Sequence, residues 1–238
     1  MNVLDLFSGI GGFSLGLERA GFKTVAFCEI DPYCRAVLRK HWPDVPQYDD
    51  IRKLDATGIR ADVVCGGFPC QPHSSASHGR KLGMADPRWL WPEMRRVIQE
   101  SKPTWILGEN VAQFDGLALE SMASDMEADG YEIAPTLEIP ACAVRLDHWR
   151  ARNWFIGYSY RNGKSRRAFD AEASGMQGNR PHAGNSGAAH GISGRMDNHR
   201  RRVIGNSVAC EIPEIIGRAI MQAAGEMTNQ QAAQPAER

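Results

Sequence analysis

Four groups of residues in this 238-residue chain have the types and spacing to do chemistry together. The first is a thiol. The apolar run Val63-Val64-Cys65 ends in Gly66-Gly67-Phe68, and Pro69 then fixes the approach to Cys70 and Gln71. That order predicts a cysteine on a tight loop at the tip of a buried strand, where a substrate can reach it. The second is a carboxyl. Glu109 ends the strand-like Trp105-Ile106-Leu107-Gly108 and precedes Asn110-Val111. A carboxyl at a buried strand end has a raised pKa and can share a proton with a substrate. The third is a pair of cations, Arg150 and Arg152, just before the apolar Asn153-Trp154-Phe155-Ile156-Gly157. The fourth is the glycine turn of Asp5-Leu6-Phe7-Ser8-Gly9-Ile10-Gly11-Gly12, which ends one strand and opens a helix. Glycines there let a ligand lie against the backbone. The spacing is not Gly-x-Gly-x-x-Gly, which argues against a pyrophosphate. Glu29, twenty residues after Gly9, suits ribose hydroxyls, and Asp50-Ile51, closing the next strand, can frame an adenine. The turn and Glu29 together favour a nucleoside cofactor.

The elements that must position these groups alternate along the chain. Strands are predicted at 2–7, 24–29, 62–66, 104–109, 132–139 and 153–157. Helices are predicted at 12–21, 32–41, 89–101 and 116–129, with another after residue 210 carrying Ile212, Ile215, Ile216, Ala219 and Ile220 on one face. Near-continuous apolar strands alternating with helices mean an α/β fold with a doubly wound, mostly parallel sheet. The 158–200 stretch keeps no period and holds seven glycines, so it reads as a loop-rich insert. The expected division is a catalytic and cofactor-binding domain of 1–157 plus 203–225, an insert of 158–202, and a disordered tail of 226–238.

The glycine-turn, thiol and carboxyl segments, in that order along the chain, resemble the DNA (cytosine-5) methyltransferase family. The resemblance covers most of residues 2–157 and 195–221. It implies a Rossmann-like class I methyltransferase sheet with a small recognition insert, and S-adenosylmethionine as cofactor. Phe7, Gly9 and Gly12 match the family's first motif, Glu29 and Asp50 the next two, and Asn206-Ser207-Val208 its last, whose helix folds back beside the first. By the same likeness Ile10, Ile30, Ile51, Pro69 and Leu90 join the cofactor site. The implied reaction is attack of Cys70 on C6 of cytosine. Glu109 serves N3, Arg152 donates to O2, and Arg150 supports the loop. Most members carry glutamine where His148 stands, though some carry histidine. Arg145-Leu146-Asp147 departs from the usual proline-containing approach.

Such a reaction needs the cytosine extruded from a duplex. Net charge is zero overall, yet residues 158–202 hold eight arginines and one lysine against three acids. One basic segment on an acidic body suggests a local phosphate-binding surface. Ser74, Arg88, Arg200, Arg201 and Arg202 are the expected DNA contacts. The family's recognition region is usually much longer than 158–202. Double-stranded DNA is the expected partner, with a restriction endonuclease or a specificity partner as further candidates.

Two other readings follow: an RNA cytosine-5 methyltransferase, and a non-catalytic or partner-dependent DNA-binding module. RNA-directed cousins carry Cys-Phe-Thr after Glu-Asn-Val, whereas Ala112-Gln113-Phe114 follows here. The six cysteines are scattered, and Cys28, Cys34, Cys65, Cys142 and Cys210 read as small hydrophobes. No zinc-ligand spacing occurs, so no metal is expected. With no membrane-length apolar run and no signal-peptide pattern, the expected compartment is reducing: the cytoplasm of a bacterium or a phage-infected host.

Overall fold

The structure, a computed structural model, describes residues 1–69, 89–112, 116–160, 199, 203 and 205–232, excepting the side chains of 226–232. Strands β1 (Asn2–Leu6), β2 (Lys23–Cys28), β3 (Gln47–Tyr48), β4 (Val63–Gly66) and β5 (Trp105–Val111) alternate with helices α1 (Gly12–Arg19), α2 (Pro32–His41) and α3 (Trp91–Ser101). Helix α4 (Gly116–Ala128), strands β6 (Tyr131–Ile133), β7 (Leu137–Pro140) and β8 (Ala151–Ser159), and helix α5 (Glu211–Ala232) complete them. Every residue of β4 is buried, as is β5 from Trp105 to Asn110. Strands this apolar are stable where helices cover both faces of the sheet. One face packs Met94, Val97 and Ile98 of α3 with Met122 and Met126 of α4. The other packs Phe13 and Leu17 of α1 with Ile212, Ile216 and Ile220 of α5.

The sheet runs in the order β3-β2-β1-β4-β5-β8, and β6 and β7 lie end to end along the outer edge of β8. The five strands β1 to β5 are parallel, and β8 returns antiparallel to β5, from Trp105 opposite Tyr158 to Val111 opposite Arg152. Strand order reverses between β1 and β4. In a doubly wound sheet that reversal opens a crevice at the strands' carboxyl ends. Among the described residues, the glycine turn, Pro69, Glu109, Arg150 and Arg152 sit around those ends.

Glycines permit the closest approaches. A Cβ on Gly16 would lie 2.2 Å from the Cys210 carbonyl oxygen, so α1 and the start of α5 meet backbone to backbone. Gly108, in the middle of β5, sits under Phe155, where a Cβ would fall 1.7 Å from the ring. Gly108→Ala should therefore destabilise by about 3 kcal/mol or more by overpacking. Thermal unfolding checks this, with a drop in Tm of roughly 10 °C expected.

Three expectations need correction. The strand expected at 132–139 is two strands, β6 and β7, separated at 134–136. Ala134 still donates to the Ile156 carbonyl at 2.9 Å, but Pro135 has no N–H to continue the ladder. Asp50-Ile51 does not close a strand. The third strand ends at Tyr48, and Asp50 caps a 3-10 turn (Ile51–Lys53), accepting from the Arg52 N–H. The tail expected to be disordered from 226 is helical as far as Ala232, because α5 continues through good helix formers such as Met227 and Gln231.

Candidate active site

The glycine turn holds an unusual backbone. Phe7 (φ 51°), Gly9 (φ 54°) and Gly11 (φ 88°) are all left-handed. Phe7 is the costly one, since residues with a Cβ seldom adopt that region. Hydrogen bonds hold it. Ser8 Oγ donates to the Asp5 carbonyl at 2.6 Å, and the Gly11 N–H to the Ser8 carbonyl at 2.8 Å. Glu29, at the end of β2, staples the turn from outside: its Oε2 accepts from the Gly9 N–H at 2.6 Å and its Oε1 from the Asp31 N–H at 2.7 Å. Burial raises the Glu29 pKa, and the two N–H donors oppose this. Both oxygens keep lone pairs for a further donor such as a ribose hydroxyl.

Beside this turn lies a cavity of about 270 Å³. Phe7, Gly9, Gly12, Glu29, Ile30, Asp50, Ile51, Pro69, Leu90, Asn206, Ser207 and Val208 line it. Those are the sequence-predicted cofactor residues save Ile10, which does not line it. A Cβ on Gly12 would meet the Val208 carbonyl oxygen at 2.7 Å, so a side chain there would push the Asn206–Val208 segment away. The opposite end of the cavity reaches Gly67 and Glu109. A nucleoside with a charged tail fits such a cleft: a carboxylate near the turn, an apolar wall, and an open end toward a second reacting group.

Asp5 lies beneath the turn. It is fully buried, and its Oδ2 accepts from both the backbone N–H and the hydroxyl of Ser14 at the start of α1. Burial pushes its pKa up to about 7 despite those bonds. A carboxyl raised in the folded state contributes its stability below the unfolded pKa, near 4, and loses it as pH rises toward 7. Asp5→Asn should flatten that pH dependence, which amounts to about 1.4 kcal/mol per pH unit at most. Urea unfolding at pH 4 to 8 reads the difference.

At the other end, Glu109 is buried, and Arg152 Nε reaches its Oε1 at 2.9 Å. Burial raises the Glu109 pKa, while Arg152 and then Arg150 pull it down. Gly67 makes room for the carboxyl, since a Cβ there would lie 2.8 Å from Glu109 Oε2. Asn110 Nδ2 donates to the Phe68 carbonyl at 3.3 Å, tying the end of β5 to the loop after β4. The structure thus brings Pro69, Glu109, Arg150 and Arg152 around adjoining cavities. Arg152 stands one residue inside β8 rather than ahead of it, which explains its fixed direction. Cys70, Ser74, Arg88, Arg200, Arg201 and Arg202 lie outside the described residues, as does the 158–202 insert apart from 158–160 and His199.

The sequence reading passed over several lining residues, among them Asp31, Arg52 and Val203. Asp31 was legible: Asp31-Pro32 is an N-cap followed by proline at the first helical position, and Asp31 Oδ1 accepts from the Tyr33 N–H at 2.8 Å. The contact of His199 with it was not. Its Nε2 lies 3.1 Å from Asp31 Oδ2 and its ring meets Tyr33 edge-on. Residues so far apart in sequence carry no local signal for each other. Among the described residues, no group of His, Cys, Asp or Glu could hold a metal ion, and no helix is long and apolar enough to cross a membrane.

Comparison with known proteins places this geometry in a context. Residues 1–184 match the family model of the C-5 cytosine-specific DNA methylase. The Type II methyltransferase M.PspPI of Psychrobacter sp. (strain TA137) is 40% identical over 164 residues, covering 66% of this chain and 39% of that protein. The Type II methyltransferase M.Eco47II of Escherichia coli is 37% identical over 158 residues, covering 63% of this chain and 37% of that protein. The chain therefore spans about two fifths of the length of these curated relatives. A crystal structure described as a DNA modification methyltransferase encoded within a prophage (E. coli) matches with TM-score 0.56 and 26% identity, over 70% of this chain and 49% of that one. S. pombe Dnmt2 methyltransferase matches in fold, with TM-score 0.57 and 21% identity, over 70% of this chain and 51% of that one.

Proposed function

Since the chain belongs to the C-5 cytosine-specific DNA methylase family, we propose that it transfers a methyl group from S-adenosylmethionine to C5 of cytosine in double-stranded DNA. One observation carries the reading. A single cavity runs from the glycine turn and Glu29 to Pro69 and Glu109. A cofactor held by the turn would face the loop that carries Cys70.

Bound S-adenosylmethionine supplies an electrophilic methyl group beside that loop. Phe7, Gly9, Gly12, Glu29, Ile30, Asp50, Ile51, Leu90 and Asn206–Val208 hold it, with Glu29 on the ribose. Cys70 as thiolate forms a bond to C6, which moves an electron pair toward C5. Glu109 gives its proton to N3 as that charge develops, and Arg152 donates to O2. Carbon 5 would then take the methyl group as its bond to sulfur breaks and S-adenosylhomocysteine leaves. Loss of the C5 proton to water would expel the Cys70 thiolate from C6, and N3 would return its proton to Glu109. Arg150 supports the Arg152 loop. Ser74, Arg88 and Arg200–Arg202 act on DNA phosphates.

The relatives' shared description as Type II methyltransferases supports pairing with a restriction endonuclease, in a bacterial or phage-infected cytoplasm. A second reading has its own support. The chain spans about two fifths of its curated relatives, and 158–202 is short for base readout, so sequence recognition would come from a partner. Incubation with labelled S-adenosylmethionine and either duplex DNA or tRNA tests the proposal. Label in duplex DNA is expected. Label confined to tRNA would replace it with the RNA reading. Cofactor binding without label on either substrate would favour the partner-dependent reading.

A further inference from the structure

Asp50 and Ile51 line the cofactor cavity from the short 3-10 turn Ile51–Lys53 and its cap. Within the turn, the Lys53 N–H donates to the Asp50 carbonyl at 3.0 Å and the Leu54 N–H to the Ile51 carbonyl at 3.3 Å. So short a helical turn takes its position from what it packs on. Here that is α3, and one guanidinium makes the contact. Arg96 Nη2 donates to the Ile51 carbonyl at 2.5 Å and Nη1 to the Leu54 carbonyl at 2.8 Å. Two carboxylates of the same helix aim it. Nε donates to Glu93 Oε2 at 3.0 Å and Nη1 to Glu100 Oε1 at 2.6 Å. Glu100 also reaches the segment directly, its Oε2 accepting from the Ala56 N–H at 2.9 Å. Ile51, Leu54 and Ala56 belong to one apolar cluster with Met94 and Val97 of α3. Apolar contact is non-directional, whereas charged hydrogen bonds to two carbonyls fix the orientation of the turn.

The same helix starts at another lining residue. Leu90 caps α3 and lines the cavity, and Arg96 follows it less than two turns along. Arg96 itself does not line the cavity, yet it joins two parts of the wall that are distant in sequence. We propose that Arg96 is a positioning residue for the cofactor, setting where Asp50 and Ile51 stand relative to Leu90. The proposal rests on the reading of this cavity as the S-adenosylmethionine site. Without the cation, the Glu93 and Glu100 carboxylates would face the Ile51 and Leu54 carbonyls, acceptor against acceptor, and the turn would move off α3. A neighbour on the helix supplies the control. Arg95 is engaged as fully, by Asp125 and by both carboxylate oxygens of Asp129. Those partners lie on α4 and just after it, and neither they nor Arg95 line the cavity.

Calorimetric titration of S-adenosylmethionine into the full chain tests this, with wild type, Arg96→Gln, Arg96→Lys and Arg95→Gln side by side. Arg96→Gln is expected to bind the cofactor about tenfold more weakly, a loss the size of one charge-assisted hydrogen bond. Arg96→Lys should fall between, about threefold weaker than wild type, since an ammonium keeps the charge but not the planar fork. Arg95→Gln should lower Tm yet leave cofactor affinity within about twofold, because it shares no partner with the cavity wall. Circular dichroism confirms the folds, and if Arg96→Gln does not fold, Arg96→Lys carries the comparison. Unchanged cofactor affinity in a folded Arg96 variant would overturn the assignment and leave the cofactor reading intact. So would an equal loss in Arg95→Gln, which would mean a general loosening of α3. Wild type that bound no S-adenosylmethionine would overturn the cofactor reading, and the role of Arg96 with it.

Discussion

Replacing Cys70 with alanine is expected to abolish methyl transfer to duplex DNA while leaving cofactor affinity within about twofold. The asymmetry follows from where the residues stand. The cofactor cavity is walled by the turn after β1, by Glu29, by Asp50 and by Asn206–Val208, and along the β4 loop it reaches Gly67 and Pro69. The groups assigned to the cofactor are therefore residues other than the thiol, whereas the chemistry needs it. Without a nucleophile at C6, C5 of cytosine has no electron density to take a methyl group. Loss of a covalent nucleophile typically costs about 10⁴-fold or more. The check is transfer of labelled methyl in a single turnover, beside calorimetric titration of S-adenosylmethionine. Transfer persisting within tenfold of wild type would rule out the covalent route. The buried Cys28, Cys34 and Cys65 cannot substitute. Burial pushes the Cys28 and Cys34 thiols up to about 12 and raises that of Cys65 well above the ordinary thiol value, leaving no useful thiolate at neutral pH.

What the sequence reveals of this fold is what local chemistry encodes. The buried strands β1, β4 and β5 read directly as apolar runs, because both faces of a parallel sheet are covered. Gly9 and Gly12 were legible because a turn so tight between strand and helix leaves little choice of residue. The strand expected to close at Asp50-Ile51 was misplaced, since Gln47 and Tyr48 of two-residue β3 carry no apolar pattern and owe their pairing to β2. The split of β6 from β7 could have been read from Pro135. The cavity that Glu109 shares with Arg150 and Arg152 could not have been. His148 and Trp154 come to it from the β8 side and Ser207 from the segment before α5, and only the fold of β8 against α5 brings them together.

Glu109→Gln is the second large effect expected, a loss of about 10²–10⁴ in the single-turnover methyl-transfer rate, the usual contribution of a positioned proton donor. The amide keeps the shape of the carboxyl in the space that Gly67 leaves, so the fold should tolerate it. It cannot give a proton to N3. The pH dependence separates this from a packing defect. Burial raises the Glu109 pKa, with Arg152 and Arg150 opposing, so the protonated form persists above the ordinary carboxylate range and is lost as pH rises. The wild-type rate should therefore fall on its alkaline side with a limb that belongs to Glu109, and that limb should be missing in the glutamine variant. The same sign governs stability. A carboxyl with a raised folded-state pKa contributes most below its unfolded pKa and loses that contribution as pH climbs. The glutamine variant should thus lose less stability than wild type between acid and neutral pH. A variant with a low rate but the wild-type alkaline limb would move the proton to another group and leave Glu109 holding Arg152 in place.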